Sequence, residues 1–161
     1  MSLKRTLSTI MFCLMPFLAS AQSLPDVKLA DAKGNPVRMS SLLDGKTPVV
    51  VTFWSTTCKY CIEEIDALGE ALEDYEELPL RVVCVSVDDS RSVQRAKAMA
   101  ASRGWDGFTV LYDTNRQLYR ALNVVNIPQL FVYDKDGRQI YAHTGYAPGD
   151  EIEMLKFINS F

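Results

Sequence analysis

The sequence is poor in metal-binding and basic residues. It has one histidine, His143, and four cysteines in 161 residues, whereas a structural zinc site usually takes four such ligands. It also has no excess of positive charge, because 17 lysines and arginines are outweighed by 20 aspartates and glutamates. Nucleic-acid-binding proteins carry a basic stripe or patch, so we expect no metal site and no nucleic-acid partner.

The chain also lacks internal repeats, low-complexity segments and a linker between domains. Eight glycines, seven prolines and a hydrophobic content of 48% are ordinary for a globular protein. These values exclude a collagen-like, disordered or disulfide-stapled chain. Residues 22–161 are enough for one hydrophobic core, and we expect them to form a single domain.

Residues 1–21 have the three parts of a secretory signal peptide. Lys4 and Arg5 precede an apolar stretch from Leu7 to Leu18, and small residues follow up to Ala21. The apolar stretch is shorter than the roughly 20 residues that span a bilayer as a helix. We therefore expect cleavage after Ala21 and export to a compartment that permits disulfides, with an uncleaved N-terminal anchor as the alternative.

The apolar pattern predicts alternating strands and helices. The continuous runs Val49–Trp54 and Leu80–Val87 are typical of strands buried on both faces. Between them, apolar residues from Cys58 to Glu77 recur at helical spacing. The remaining predicted elements are a hairpin of Val27–Leu29 and Val37–Met39, helices at Val93–Ser102, Asn115–Leu122 and Asp150–Phe161, and strands at Phe108–Tyr112, Gln129–Tyr133 and Arg138–His143. This order predicts an α/β fold with a mixed central sheet flanked by helices and an N-terminal β-hairpin extension.

Two cysteines, Cys58 and Cys61, open the first long helix directly after a buried strand. Three residues apart on one helical turn, they are close enough to form a disulfide. The helix N-terminus lowers the pKa of the first thiol, which favours Cys58 as a nucleophile and Cys61 as the resolving thiol. Lys59 adds a positive charge beside the pair. A structural disulfide and a zinc site are the alternatives for the pair itself.

The segment from Trp54 to Cys61, with the sequence WSTTCKYC, resembles the thioredoxin superfamily. The sequence NIPQ, which contains Ile127 and Pro128, matches the cis-proline loop of that superfamily. The resemblance implies a thioredoxin-like fold in which this loop faces the dithiol and its backbone pairs with a substrate segment. We expect Trp54 and Tyr60 to shape the surface around Cys58, with a place in the core as the alternative for Trp54.

Within the superfamily, the chain from Leu24 to Phe161 resembles the exported TlpA/ResA-like thiol–disulfide oxidoreductases. The resemblance rests on the hairpin with Gly34, the pair Phe53 and Trp54, and a turn at Asp134–Gly137. That branch has a glutamate three residues after the second cysteine, which is Glu64 here. It implies that Glu64 relays the proton of Cys61, whereas a solvated acid on the helix surface is the alternative reading.

Three positions depart from the thioredoxin pattern. Thr52 replaces a buried aspartate in the first central strand, Thr57 replaces the tryptophan before the first cysteine, and Tyr60 replaces the proline before the second. The residues between the cysteines influence the reduction potential. The sequence therefore leaves the direction of electron flow open, while the resemblance favours a reductase.

The resemblance also implies partners and a location. We expect a monomer in the bacterial periplasm that reduces disulfides in exported proteins, such as apocytochrome c, and is recharged by a membrane thiol-reductant conduit. It implies no cofactor beyond the redox-active Cys58–Cys61 disulfide.

Two other functions share this fold. A peroxiredoxin-like peroxidase needs a threonine and an arginine around its cysteine, but Thr56 and Thr57 are adjacent and no arginine lies nearby in sequence. A copper-binding module would use Cys58, Cys61 and a histidine, but His143 falls in the late hairpin. Cys84, inside an apolar strand, is expected to be a small buried hydrophobe.

Overall fold

The computed structural model describes residues 22–75 and 77–161. The predicted signal peptide, residues 1–21, lies outside the described residues. Within the described ranges, no helix combines the length and apolar character that crossing a membrane requires.

A seven-stranded mixed sheet forms the centre of the domain. The strands are β1 Lys28–Ala30, β2 Pro36–Arg38, β3 Val49–Trp54, β4 Arg81–Ser86, β5 Thr109–Tyr112, β6 Gln129–Tyr133 and β7 Gln139–Thr144. Their order is β2-β1-β5-β4-β3-β6-β7. Strands β3, β4 and β5 run parallel to one another, whereas β6 pairs antiparallel with β3 and β7, and β1 pairs antiparallel with β2 and β5. The predicted mixed sheet and hairpin extension are confirmed.

Four helices connect and flank the strands. They are α1 Lys59–Glu73, α2 Val93–Ser102, α3 Gln117–Ala121 and α4 Asp150–Asn159, with short 3-10 turns at Met39–Leu42 and Trp105–Gly107. The prediction extended the first helix to Glu77, but α1 ends at Glu73. There the amide of Asp74 donates a hydrogen bond to the carbonyl of Ala71, and the amide of Tyr75 donates to the carbonyl of Leu72. These bonds span three residues instead of four, so the chain tightens into a turn.

The core lies on both faces of the sheet, and β3 contributes to both. All six of its residues are buried. Val50 and Trp54 pack toward α1 and α4, whereas Val49, Val51 and Phe53 pack in a second cluster with the first 3-10 turn and α3. A strand buried on two faces reads as a continuous apolar run, which explains why the sequence identified β3 to the residue. The carboxyl end of β3 leads directly into the cysteine pair.

Candidate active site

The cysteine pair lies where β3 leads into α1. Cys58 is the residue that caps α1, and its Sγ accepts a hydrogen bond from the amide of Cys61 at 3.2 Å. The two cysteines form a disulfide with their Cα atoms 5.3 Å apart. Cys61 is fully buried, whereas Cys58 is only partly buried. Cys58 is therefore the sulfur that an external thiol or disulfide reaches first.

The two residues between the cysteines face solvent. Lys59 forms an exposed ion pair with Glu63 one turn further along α1, with 3.4 Å between Nζ and Oε1. Its charge is thus partly neutralised and contributes little to the site. Tyr60 is 59% exposed, so it forms part of the surface beside Cys58, where it was predicted to be.

The predicted cis-proline loop is present. The peptide bond between Ile127 and Pro128 is cis. The carbonyl of Pro128 accepts a hydrogen bond from the amide of Gly145, which ties the loop to the end of β7. Ile127 is half-buried and lines one cavity together with Thr57, the neighbour of Cys58. The residue before the cis bond and the residue before Cys58 therefore border the same space.

The structure corrects the prediction for Trp54. Its side chain is fully buried and packs edge-on against Trp105, with 5.0 Å between the ring centroids. Such a pair is a favourable aromatic geometry in a core. Trp54 thus packs in the core at the end of β3 and does not form part of the surface around Cys58.

Glu64 is a buried carboxyl one helical turn after Cys61. It is 4% exposed, which contradicts the reading of a solvated surface acid. The hydroxyl of Thr52 donates a hydrogen bond to Glu64 Oε2 at 2.5 Å. Burial raises the pKa of Glu64 to about 7, the hydrogen bond from Thr52 opposes that rise, and the charges of Asp150 and Glu151 add to it. A carboxyl with this pKa can accept and return a proton near neutral pH.

The sole histidine lies near Glu64 and contacts a carboxylate. His143 Nε2 is 3.1 Å from Asp150 Oδ2, and both residues line a small cavity with Glu64. Across residues 22–75 and 77–161, no group of three or more histidine, cysteine or carboxylate side chains is arranged to hold a metal ion. The contact between His143 and Asp150 joins β7 to the start of α4.

Sequence reasoning missed a polar network that holds the loop before Cys58. Asp88 is buried and accepts hydrogen bonds from the amide and the hydroxyl of Thr56 at 2.9 and 2.7 Å. The hydroxyl of Ser86 donates to the same carboxylate. Arg95 of α2 donates to Thr56 Oγ1 from Nε and Nη2, at 3.2 and 2.7 Å. Only Asp89 serves the turn into α2, where it accepts from the amide and hydroxyl of Ser92.

The position of Asp88 is a consequence of the parallel pairing of β3 and β4. Trp54 pairs with Ser86 at the carboxyl ends of the two strands, so the residues that follow both strands meet at one edge of the sheet. The sequence carried this signal, since Asp88 directly follows the predicted buried strand Leu80–Val87.

Cys84 is fully buried in β4, beside Thr52 in the register of the sheet. Burial, with a smaller contribution from the charge of Glu64, raises the pKa of its thiol. A buried thiol of raised pKa is unreactive, in agreement with the prediction of a small core residue.

Comparison with known proteins identifies relatives with the same chemistry. The sequence model of the AhpC/TSA family matches residues 21–141 of this chain. The chain is 30% identical over 149 residues to the thiol-disulfide oxidoreductase ResA of Geobacillus kaustophilus, covering 92% of this chain and 82% of the relative. It is 27% identical over 128 residues to ResA of Bacillus subtilis, covering 80% and 69%.

Solved structures agree with the sequence relatives. A thioredoxin-like protein from Porphyromonas gingivalis superposes with a TM-score of 0.73 at 37% identity, covering 85% of this chain and 90% of that one. A thiol:disulfide interchange protein of the DsbE type from Chlorobium tepidum superposes with a TM-score of 0.76 at 25% identity, covering 88% and 96%. These matches confirm the thioredoxin-like fold. The chain belongs to the AhpC/TSA family and is a thiol–disulfide oxidoreductase of the ResA type.

Proposed function

We propose that this oxidoreductase works as a reductase of disulfides in exported proteins, with Cys58 as the nucleophile and Cys61 as the resolving thiol. The single observation that carries the proposal is the unequal exposure of the two sulfurs at the start of α1, beside the cis-proline loop. A client can reach the sulfur of Cys58. The buried sulfur of Cys61 can attack only Cys58.

The reaction proceeds in two exchange steps. The Cys58 thiolate attacks one sulfur of the client disulfide, the client S–S bond breaks, and the released client thiolate takes up a proton. The Cys61 thiolate then attacks Cys58 Sγ, which breaks the mixed disulfide and releases the second client thiol. Two electrons pass from the enzyme dithiol to the client, and the enzyme ends as the Cys58–Cys61 disulfide. The reaction requires no other cofactor.

The cap geometry supports Cys58 as the attacking sulfur. An N-cap position places Sγ against unpaired amides and the positive end of the helix dipole, and the amide of Cys61 already points at it. These interactions favour the thiolate over the thiol. Lys59 forms an ion pair with Glu63, so the backbone amides of α1 supply most of the stabilisation of the Cys58 thiolate.

Glu64 serves as the proton acceptor for Cys61 in this proposal. The two residues are three apart on the buried face of α1, where side chains of such spacing are neighbours. Cys61 is shielded from water, so its proton needs a local acceptor before the thiolate can attack. A carboxyl with a pKa of about 7 takes that proton without trapping it.

The backbone of Ile127 is suited to hold the client. Its amide and carbonyl make no backbone hydrogen bond in the described part of the chain, although the residue lies just before the cis bond. An extended client segment can pair with those groups as an added strand does.

We further propose that the chain acts as a monomer outside the cytoplasm, after removal of residues 1–21, and that a membrane thiol-reductant conduit restores the dithiol. Apocytochrome c is one candidate client.

Trapping of the mixed disulfide tests this function. Cys61→Ser leaves Cys58 able to attack but removes the resolving thiol, so we expect a covalent adduct with exported proteins that dithiothreitol releases. Cys58→Ser should form no adduct, and Cys84→Ser should behave like the unaltered protein. Failure of Cys61→Ser to capture any protein from the exported fraction of its own cell would contradict the proposal.

A peroxidase is the second candidate, and one contact favours it. The structure brings Arg95 to within 2.7 Å of Thr56 Oγ1, so an arginine and a threonine meet two residues before Cys58. In such a reaction Cys58 would reduce a peroxide, becoming a sulfenic acid that Cys61 converts to the disulfide with release of water. Consumption of hydrogen peroxide by the reduced protein, faster than by Cys58→Ser, would support it. Parallel measurement of disulfide reduction decides between the two.

A further inference from the structure

A cavity beside the cysteine pair is lined by three arginines. It has a volume of about 710 Å³ and is bordered by the loop before Cys58, the loop between β4 and α2, and the segment that leads into the cis-proline loop. Arg91 and Arg95 line it from either side of the start of α2, and Arg116 lines it from the residue before α3. We call this space the arginine cavity. Three arginines converging at one place is unexpected in a chain of net charge −3.

The acidic residues in the arginine cavity are already engaged with the protein. Asp88 is buried, and both its carboxylate oxygens accept hydrogen bonds from Thr56. Asp89 pairs with Arg91 and closes the turn at Ser92. Neither carboxylate forms an ion pair with Arg95 or Arg116 in the described part of the chain, although Thr56 Oγ1 donates to Asp88 and accepts from Arg95, so that one hydroxyl separates the two charges.

Arg95 and Arg116 form no salt bridge within the described residues, to judge from the ion pairs of that part of the chain. Arg95 directs two N–H groups at one neutral oxygen, Thr56 Oγ1, although a guanidinium has five donors in a fork that matches a carboxylate. Arg116 lies over the ring of Tyr119, with 5.5 Å from Cζ to the centroid. Both side chains are exposed and have donors to spare.

Arg116 is also held in place by the protein at some cost. Its φ of 52° is left-handed, a conformation that is unfavourable for a non-glycine residue. The hydroxyl of Tyr119 donates to the carbonyl of Val125, which ties the ring under Arg116 to the segment just before Ile127. Arg116 is therefore fixed relative to the loop that is proposed to bind the client backbone.

We propose that the arginine cavity binds a carboxylate of the client, so that the enzyme prefers protein disulfides with an aspartate or glutamate close to the reacting cysteine. This inference rests on the proposed function. A client strand paired with Ile127 advances about 3.3 Å per residue, and Arg95 contacts a residue only two positions from Cys58. The acidic residue therefore belongs about two to four positions from the client cysteine.

Matched peptides test the preference. The probes are disulfide-bonded peptides that are identical except for glutamate, glutamine or lysine three residues from the cysteine, and the readout is the rate constant for their reduction by the dithiol enzyme. We expect the glutamate peptide to react about fivefold faster than the glutamine peptide, as two exposed ion pairs allow. The lysine peptide should react slowest, and added salt should reduce the differences.

Variants separate a specific contact from overall charge. Arg95→Gln combined with Arg116→Gln should bring the glutamate-to-glutamine ratio to about one, and Arg116→Gln alone, which leaves the Thr56 contact intact, should lower it. The control Arg120→Gln with Lys156→Gln removes the same charge outside the cavity and should keep the wild-type ratio. Equal losses in the control would contradict the inference, as would a wild-type ratio of one.

Two further outcomes identify the source of a failure. If the wild-type enzyme reduced none of the peptides, the proposed function itself would fail and this inference with it. If all peptides were reduced at one rate, only the inference would fail. Cystine, which carries two carboxylates, and cystamine, which carries none, are the small-molecule substrates for the same comparison. A dependence on Arg95 and Arg116 for cystine alone, with the peptides indifferent, would overturn the assignment to protein clients.

Discussion

The hydroxyl of Thr52 in β3 donates a 2.5 Å hydrogen bond to Glu64 Oε2 in α1. Thr52 occupies the strand position where thioredoxin has a buried aspartate, so the acidic group of this site has moved from the sheet to the helix. The threonine retains a polar contact at that position and orients the carboxyl that replaced the aspartate. Glu64 lies three residues from the buried Cys61, and the proposed proton transfer to and from the resolving thiol rests on this arrangement.

Replacing Thr52 should shift the pH dependence of thiol exchange. In Thr52→Val the hydrogen bond to the ionised carboxylate is lost, which raises the pKa of Glu64 above its value of about 7. A hydrogen bond to a charged group is worth about 1.5 kcal/mol or more, which corresponds to about one pH unit. We expect the midpoint of the resolution rate to rise by about that amount. Thr109→Val in β5 is the control and should leave the midpoint unchanged.

Glu64 should also make the stability of the oxidised protein depend on pH. Its pKa is higher in the folded state than the value of 4.5 for a free glutamate, so the folded state favours the protonated form. The contribution to stability is complete below about pH 4.5 and is lost as the pH rises through 7, by about 3 kcal/mol in all. Urea unfolding at pH 5 and pH 8 measures it.

Glu64→Gln should lose that pH-dependent part of the free energy of unfolding. Glu70→Gln, an exposed position on the same helix, is the matched control and should keep it. A Glu64→Gln protein whose stability fell between pH 5 and pH 8 as steeply as the wild type would show that another group is responsible. Asp150, Glu151 and His143, which line the same small cavity as Glu64, would be the next groups to test.

Asp88 should matter more than its neighbour Asp89. Asp88→Ala leaves the amide and hydroxyl of Thr56 without their acceptor in a partly buried place, and we expect a loss of about 1 to 3 kcal/mol in the free energy of unfolding. Thiol exchange should also slow, since Thr56 belongs to the loop that positions Cys58. Asp89→Ala removes an exposed ion pair and a turn contact and should cost less. Equal losses in the two variants would contradict the role given to Asp88.

Cys84 should take no part in catalysis. Its thiol is fully buried and of raised pKa, so iodoacetamide should label Cys58 in the reduced folded protein well before Cys84. Mass spectrometry of tryptic peptides measures the order of labelling. Cys84→Ala should retain wild-type exchange rates. Rapid labelling of Cys84 in the folded state would point to a second redox centre.

The sequence predicted the elements whose pattern is local. β3 is a continuous β-branched and aromatic run, and Cys58 and Cys61 follow it without a gap, so both the strand and the dithiol could be placed by inspection. The cis bond before Pro128 followed from the resemblance. Trp54 was wrongly assigned to the surface, because alternation along a strand buried on both faces does not say which side chains meet solvent.

The parts that sequence analysis missed depend on pairing between distant segments. The contact between Asp88 and Thr56 spans 32 residues, and the contact between Arg95 and Thr56 spans 39. Both arise because β3 and β4 are parallel and end at one edge of the sheet. The burial of Glu64, which the sequence left open, depends on tertiary packing as well, since only the packing of α1 against the sheet distinguishes it from the acids on the exposed face of that helix.

The reduction potential of the Cys58–Cys61 couple tests the proposed direction most directly. The protein comprising residues 22–161 would be equilibrated with graded ratios of reduced and oxidised dithiothreitol and then glutathione, and the fraction of dithiol measured after acid quenching and alkylation. A reductase requires a value near that of thioredoxin, about −270 mV, and we predict one. A value near that of DsbA, about −120 mV, would mean that the protein forms disulfides and would contradict the account.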